Sequence, residues 1–93
     1  MIVGVITAQL HLNGITSLKQ KRSIVKSLTG RLKSRFNISI SEVDRQDNKA
    51  LAVIGIAVVS NDTRFINQQL DKVIDFMHKD SRFYLGEIER DVF

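Results

Sequence analysis

The spacing of apolar residues alternates between a period of two and a period near 3.6, which predicts strands alternating with helices. Residues 2–12 carry apolar residues or glycine at every even position, which is typical of a strand with one buried face. Residues 17–36 follow a helical period, and their apolar side chains fall in one arc with Ile24 at its edge. We expect this arc to face the core. It contains Leu18, Val25, Leu28, Leu32 and Phe36.

Four further elements and one loop are predicted after the first helix. They are a strand at 37–44, a polar hairpin loop at 45–49, a strand at 50–59, a helix ending near 78 and a strand at 82–92. The third strand is apolar on both faces, as central strands covered on both sides usually are. Ser60 or Asn61 is expected to cap the second helix.

The order β-α-β-β-α-β predicts an α+β protein with a ferredoxin-like fold, as a single domain over residues 1–93. Right-handed crossovers give a four-stranded antiparallel sheet in the order 4-1-3-2. We expect its central strands, one and three, to run parallel, and both helices to cover one face.

The other face of the sheet is then left open, yet it carries aliphatic side chains. Exposed apolar patches of this kind usually mark a protein contact. We therefore predict a homodimer, or contact with a partner protein, through four residues of strands one and three. They are Val3, Val5, Leu51 and Val53.

Two local features refine the first helix. Ser17 with Gln20 three residues later is a capping box, in which each side chain bonds the other residue's free N–H group. Gly30 lies in the middle of the helix, where it costs up to about 1 kcal/mol relative to Ala. That cost predicts a close approach of another backbone at Gly30.

Charge is distributed very unevenly along the chain. The first 41 residues hold seven Lys or Arg and no acidic residue, giving +7, whereas the other 52 hold seven basic and ten acidic residues, giving −3. All seven early cations lie in the first helix. Because cations near a helix N-terminus oppose the helix dipole, a bound phosphate would relieve that repulsion.

One row of these cations predicts a nucleic-acid contact. Lys21 lies nearer the apolar arc than the others and would have to extend along it to reach water. The alternative is a solvated cationic face that pairs with acidic residues of the second half. The predicted nucleic-acid-binding residues are Lys19, Lys21, Arg22, Lys26 and Lys33.

The segments SLKQKRSIVKSL and RLKSRFNISISEVDRQD resemble the signature of the bacterial YlxP-like family, and a looser similarity extends over the whole chain. Ser41 and Asn48 depart from the family pattern, but neither touches the basic motif. The resemblance implies a ferredoxin-like fold. Because the family's genes tend to lie among translation and ribosome-maturation genes, it also implies that the protein binds RNA and has a ribosomal or translation-factor partner. It implies no catalytic residues. The matching positions are Leu18, Lys19, Lys21, Arg22, Arg31, Arg35, Phe36, Asn37, Glu42, Val43, Asp44, Gln46 and Asp47.

Other chemistry is weakly supported by the sequence. The absence of Cys excludes disulfides and thiolate metal sites, and no P-loop, dinucleotide-binding motif or nucleophile–base pair is present. Glu42 and Asp44 are expected on one face of strand two, where with Asp47 they offer oxygen ligands to a divalent cation, but the ligand count is low. We predict no metal, no cofactor and no enzymatic activity.

The sequence thus favours a non-enzymatic, cytoplasmic RNA-binding accessory factor linked to translation or ribosome maturation. Strands one and three lack the aromatic residues on which RNA-recognition motifs stack bases, so the first helix is the expected contact. The alternative is a protein-interaction or dimerisation module that uses the sheet face and binds no nucleic acid. The longest apolar run, residues 50–59, is about half of what spans a bilayer, and no membrane partner is expected.

Overall fold

The computed structural model describes residues 1–93 and contains four strands and two helices in the predicted order. Every boundary agrees with the sequence prediction to within two residues. The elements are β1 (Ile2–Leu12), α1 (Leu18–Arg35), β2 (Ser39–Asp44), β3 (Leu51–Ser60), α2 (Thr63–His78) and β4 (Phe83–Val92).

The sheet has the order β2-β3-β1-β4, which confirms the ferredoxin-like fold and the predicted strand order. All three neighbouring pairs are antiparallel, so the predicted parallel pairing of the central strands β1 and β3 is wrong. The reason lies in the connections. A crossover through α1 makes β2 parallel to β1, and the hairpin after β2 then reverses β3, which inserts between them and runs opposite to both.

One hydrophobic core joins the sheet to both helices. On α1 the predicted arc is confirmed, with Val25, Leu28 and Leu32 buried and the two end residues of the arc partly buried. On α2 the buried residues recur every three or four positions, as an amphipathic helix requires. Neither helix combines the length and the apolarity of a membrane-spanning segment.

The helix caps differ in detail from the predictions. Ser17 Oγ accepts from the Gln20 N–H at 3.2 Å, as expected. The Gln20 side chain, however, accepts from the backbone N–H of Thr16 at 2.8 Å, one residue before the cap. The cap of α2 is Asp62, not Ser60 or Asn61, and its carboxylate accepts from two free N–H groups at the helix start. A carboxylate there also suits the positive end of the helix dipole.

The predicted close approach at Gly30 is wrong, because no atom outside the local helix lies within 4 Å of the place where a Cβ would stand. The close approach occurs on β1 instead. A Cβ on Gly4 would overlap Ile66 Cγ2 and lie 3.2 Å from Leu70 Cδ1. Gly4 therefore lets α2 pack directly on the sheet.

Gly30→Ala should raise the free energy of unfolding by up to about 1 kcal/mol, since an exposed helix interior gains helix propensity and loses no contact. Gly4→Ala is the matched control and should lower it by about 1–3 kcal/mol through overpacking against α2. Urea denaturation of the two variants and the wild type measures both changes. A destabilised Gly30→Ala protein would contradict this account of α1.

Candidate nucleic-acid interface and the buried lysine

Four cations of α1 form an exposed row, called here the basic row: Lys19, Arg22, Lys26 and Lys33. The ion pairs within 4.0 Å in the structure join Lys21 to Glu42, Arg82 to Asp80, and Arg90 to Asp71. No member of the basic row takes part in one. The alternative in which acidic residues of the second half neutralise this row therefore finds no support in the ion pairs. The row remains an unpaired positive surface.

Lys21 does not belong to that surface, and its prediction as a nucleic-acid-binding residue is wrong. Its side chain is 0% exposed. The ammonium donates to the backbone carbonyls of Arg45, Asn48 and Leu51 at 2.5, 2.6 and 2.9 Å. A carboxylate oxygen of Glu42 lies 2.9 Å away. Lys21 thus extends inward along the apolar arc, and its charge is held inside the protein.

The connection between β2 and β3 is shaped around this ammonium. Lys21 Nζ donates to these three carbonyls, and the Gln46 carbonyl is a weaker fourth acceptor at 3.5 Å. Glu42 Oε2 neutralises the charge without receiving a directed hydrogen bond. Arg45 adopts a left-handed φ of 60° and presents its carbonyl to Lys21. Asn48 Oδ1 accepts from the N–H groups of Ala50 and Leu51, which closes the loop. We call these oxygens and the ammonium the lysine cage.

The acidic group predicted on one face of strand two is divided by a β-bulge. Glu42 is opposite Ile54, on the helix side of the sheet, whereas after the bulge Asp44 is opposite Val53, on the open side. The expectation that Glu42 and Asp44 share a face is therefore wrong. No group of three or more His, Asp or Glu side chains is placed to hold a metal ion.

The four residues predicted as a dimer or partner face all lie on the open side of the sheet. Val3 and Val5 pair with Val59 and Ala57 across β1 and β3. Val53 is 9% exposed and offers little contact area, whereas Val3, Val5 and Leu51 are partly exposed. Val59, at 59% exposed, and Val43, at 52%, add to the aliphatic surface of this face.

Part of the open face is acidic, which the sequence did not reveal. A depression of about 140 Å³ there is lined by Asp44, Glu87 and Glu89, by the cation Arg45, and by Thr7, Gln9 and Val53. The two glutamates were hard to place because the pairing of β1 with β4 shifts between Ala8 and Leu10. With three carboxylates against one guanidinium, the depression is net negative and repels phosphates, so an anionic polymer is favoured on the helix side of the protein.

A second group of cations lies where α1 and α2 end. Arg31, Arg35 and Lys79 line a cleft of about 220 Å³ with Phe76 and Asp80. The guanidinium carbon of Arg35 is 5.0 Å from the centroid of the Phe76 ring, a cation–π distance. Sequence reasoning missed this group because Lys79 comes from a different element, far from the arginines in the chain.

The carboxylate of that cleft is tied to Arg82. Hydrogen bonds from the Arg82 side chain, supported by its backbone N–H group and by the charges of Arg82 and Arg31, lower the pKa of Asp80 below its usual 3.8 against the opposing effect of burial. The same hydrogen bond raises the pKa of Arg82. Asp80 is therefore ionised and paired at neutral pH.

Lys21→Met should lower the free energy of unfolding by about 3–5 kcal/mol, because it leaves the Glu42 carboxylate and three carbonyls without their cation. Lys26→Met is the matched control on the exposed side of α1 and should change it by less than about 0.5 kcal/mol. Guanidinium denaturation compares the two. Equal effects of the two substitutions would show that the lysine cage contributes nothing specific.

Comparison with known proteins agrees with the family resemblance. Residues 3–90 match the family described as Protein of unknown function (DUF503). Uncharacterized protein YlxP of Bacillus subtilis (strain 168) is 36% identical over 76 residues, which cover 82% of this chain and 77% of that protein.

Two solved structures are similar to this chain at low identity, and the first of them shows the same fold. The de novo designed protein Foldit4 is 17% identical with a TM-score of 0.55, covering 99% of this chain and 94% of Foldit4. A dimeric ferredoxin-like protein from an uncultured marine organism is 16% identical with a TM-score of 0.43, covering 99% and 92%. The family match extends over nearly the whole chain, and the protein belongs to the YlxP-like DUF503 family.

Proposed function

We propose that this protein is a non-enzymatic, cytoplasmic RNA-binding accessory factor that holds backbone phosphates on the basic row of α1. The observation that supports this most directly is the set of four exposed cations on one side of a helix, none with a carboxylate partner. The proposed link to translation or ribosome maturation follows from the family resemblance.

The dimensions of the basic row suit a phosphate backbone. Lys19 and Lys33 are fourteen residues apart, which corresponds to about 21 Å along a helix. Phosphates along one strand of a duplex are spaced by about 3.4 Å of axis, so several fall within this length. Phosphate contacts position a protein without reading sequence, and we expect weak sequence selectivity.

The rest of the molecule favours the same surface. The acidic part of the open face repels RNA, and the central strands contain no Phe, Tyr or Trp. The one aromatic pair on this face joins His11 of β1 to Tyr84 of β4, with ring centroids 4.8 Å apart. With Lys21 withdrawn into the lysine cage, four cations remain in the row. Four contacts give a slope of log affinity against log salt of about −3, using −0.7 per phosphate for single strands.

Changing Arg22 and Lys26 together to Gln should flatten this slope by about 1.5 units, because two phosphate contacts are lost. Arg64 and Lys72, both exposed on α2, provide a control with the same loss of net charge when changed to Gln. That control should leave the slope nearly unchanged. Fluorescence anisotropy with a labelled oligoribonucleotide at several salt concentrations measures all three proteins.

Two outcomes contradict the proposal. One is a wild-type protein that binds neither structured nor single-stranded RNA at low salt. The other is an equal change of slope in the two double variants, which would mean that net charge matters and the basic row does not.

The second candidate function is a dimerisation or protein-interaction module that binds no nucleic acid. The aliphatic patch of Val3, Val5, Val43 and Val59 on the open face favours it. Face-to-face sheet packing would bury these side chains.

For that candidate, light scattering coupled to size exclusion should give twice the 10.6 kDa chain mass at micromolar concentration. Val59→Glu should then produce a monomer, because it places a charge in the patch. Phe65→Glu is the control, since Phe65 is 44% exposed on the helix side. A wild-type mass near 10.6 kDa would exclude the homodimer.

A further inference from the structure

The cleft at the ends of α1 and α2 lies on the side of α1 away from the basic row. At helical spacing, Arg31 and Arg35 fall on the far side of the helix from Lys19 and Lys26. The cleft measures about 220 Å³, and three of its five lining residues are cations: Arg31, Arg35 and Lys79.

The single carboxylate in the cleft is paired directly with Arg82, and Arg31 acts on it only at longer range. Asp80 is 7% exposed and accepts from Arg82 Nε at 2.9 Å and Arg82 Nη2 at 2.6 Å. It also accepts from the backbone N–H of Arg82 at 3.0 Å. With Asp80 neutralised by Arg82, the charge facing the cleft comes from the other three side chains.

Those three cations have no partners within the protein. Arg31, Arg35 and Lys79 take part in none of the ion pairs. The Arg35 guanidinium is nevertheless held in place over Phe76, and Phe76 in turn packs edge-on against Phe36 at a centroid distance of 6.3 Å. A guanidinium over a ring keeps its N–H groups free at its edges. The cleft therefore contains one positioned guanidinium, that of Arg35, and two exposed cations, and none of the three is used in an ion pair.

We propose that this cleft binds a phosphate monoester, namely the terminal phosphate of a nucleic-acid strand; the nucleic-acid source rests on the proposed function. Two guanidiniums engage phosphate oxygens through paired hydrogen bonds, and an ammonium adds a point charge. A monoester carries a charge of about −1.5 to −2 at neutral pH, which three cations balance better than they balance a single-charged diester.

The size and position of the cleft agree with a strand end. Its volume of about 220 Å³ admits one phosphate group and not a helix of nucleic acid. Internal phosphates fit the open basic row, whereas a terminal phosphate fits a half-open cleft lined by cations from two elements. A purely structural role is the competing explanation, because cations at helix C-termini also stabilise the dipole.

The first experiment uses inorganic phosphate alone. In a ¹⁵N–¹H titration of the full chain, the Nε–H signals of Arg31 and Arg35 should shift with added phosphate. Arg31→Gln with Lys79→Gln should abolish saturable shifts at the remaining Arg35 signal. Arg22→Gln with Lys26→Gln should leave all of them unchanged. If the double variant fails to fold, Lys79→Gln alone, at an exposed position, should weaken binding several-fold.

The second experiment compares two oligoribonucleotides of one sequence, with a 5′-phosphate or a 5′-hydroxyl end. The wild type should prefer the phosphorylated strand by about tenfold, which is about 1.4 kcal/mol. Arg31→Gln with Lys79→Gln should lose this preference. Arg22→Gln with Lys26→Gln should weaken the affinity for both strands equally and retain the preference for the phosphorylated strand.

The outcomes separate the two proposals. Equal wild-type affinity for both strands, or a preference that survives in the cleft variant, overturns the terminal-phosphate site. A variant that loses stability but keeps its phosphate shifts supports the structural role and overturns the proposal. If neither strand binds, the RNA function fails, and the phosphate titration decides the cleft alone. In that case, phosphate-induced signal shifts at Arg31 and Arg35 would identify the cleft as a site for a small phosphate ester. The absence of such shifts would overturn the cleft as a phosphate site.

Discussion

The ammonium of Lys21 is the point at which the first helix and the β2–β3 hairpin become one structure. An ion without partners in the interior would be strongly unfavourable, so burial of this charge requires the hairpin carbonyls and the Glu42 carboxylate to be in place. The left-handed turn at Arg45 and the loop closed by Asn48 supply that arrangement. The start of α1, the bulge in β2 and the shape of the hairpin are therefore linked through one side chain.

Much of the fold follows from the sequence, because periodicity reports which face of an element is buried. The alternation in β1 and the apolar arc of α1 placed the core correctly, and the Ser17 cap marked the start of α1. The direction of β3 follows from the connections, that is, from the crossover through α1 and the hairpin after β2. Periodicity carries no information on strand direction. The sequence also did not show which glycine another element approaches closely. That approach occurs at Gly4 and not at Gly30, because it depends on which element packs above each of them.

The candidate site was harder to predict for the same physical reason. Helical spacing showed that Lys21 lies beside the apolar arc, but its oxygen partners come from backbone 24 to 30 residues away. The basic row needed only local geometry and could be identified. The cleft of Arg31, Arg35 and Lys79 depends on two helices ending side by side, and Glu87 and Glu89 depend on an irregular strand pairing. Tertiary packing decides such features, and a single sequence does not encode them as a local pattern.

The lysine cage has a practical consequence for the chemistry of the side chain it encloses. The chain has seven lysines, and six of them are exposed, while Lys21 has no exposed surface. Amine-reactive reagents attack the free amine in contact with solvent, so the six exposed lysines are modified from the native state. Acylation of Lys21 must wait for the hairpin to open, and its rate relative to the other six reports that local opening. The acylation rate of Lys21, measured by mass spectrometry, thus reports the opening of the hairpin in the unsubstituted protein.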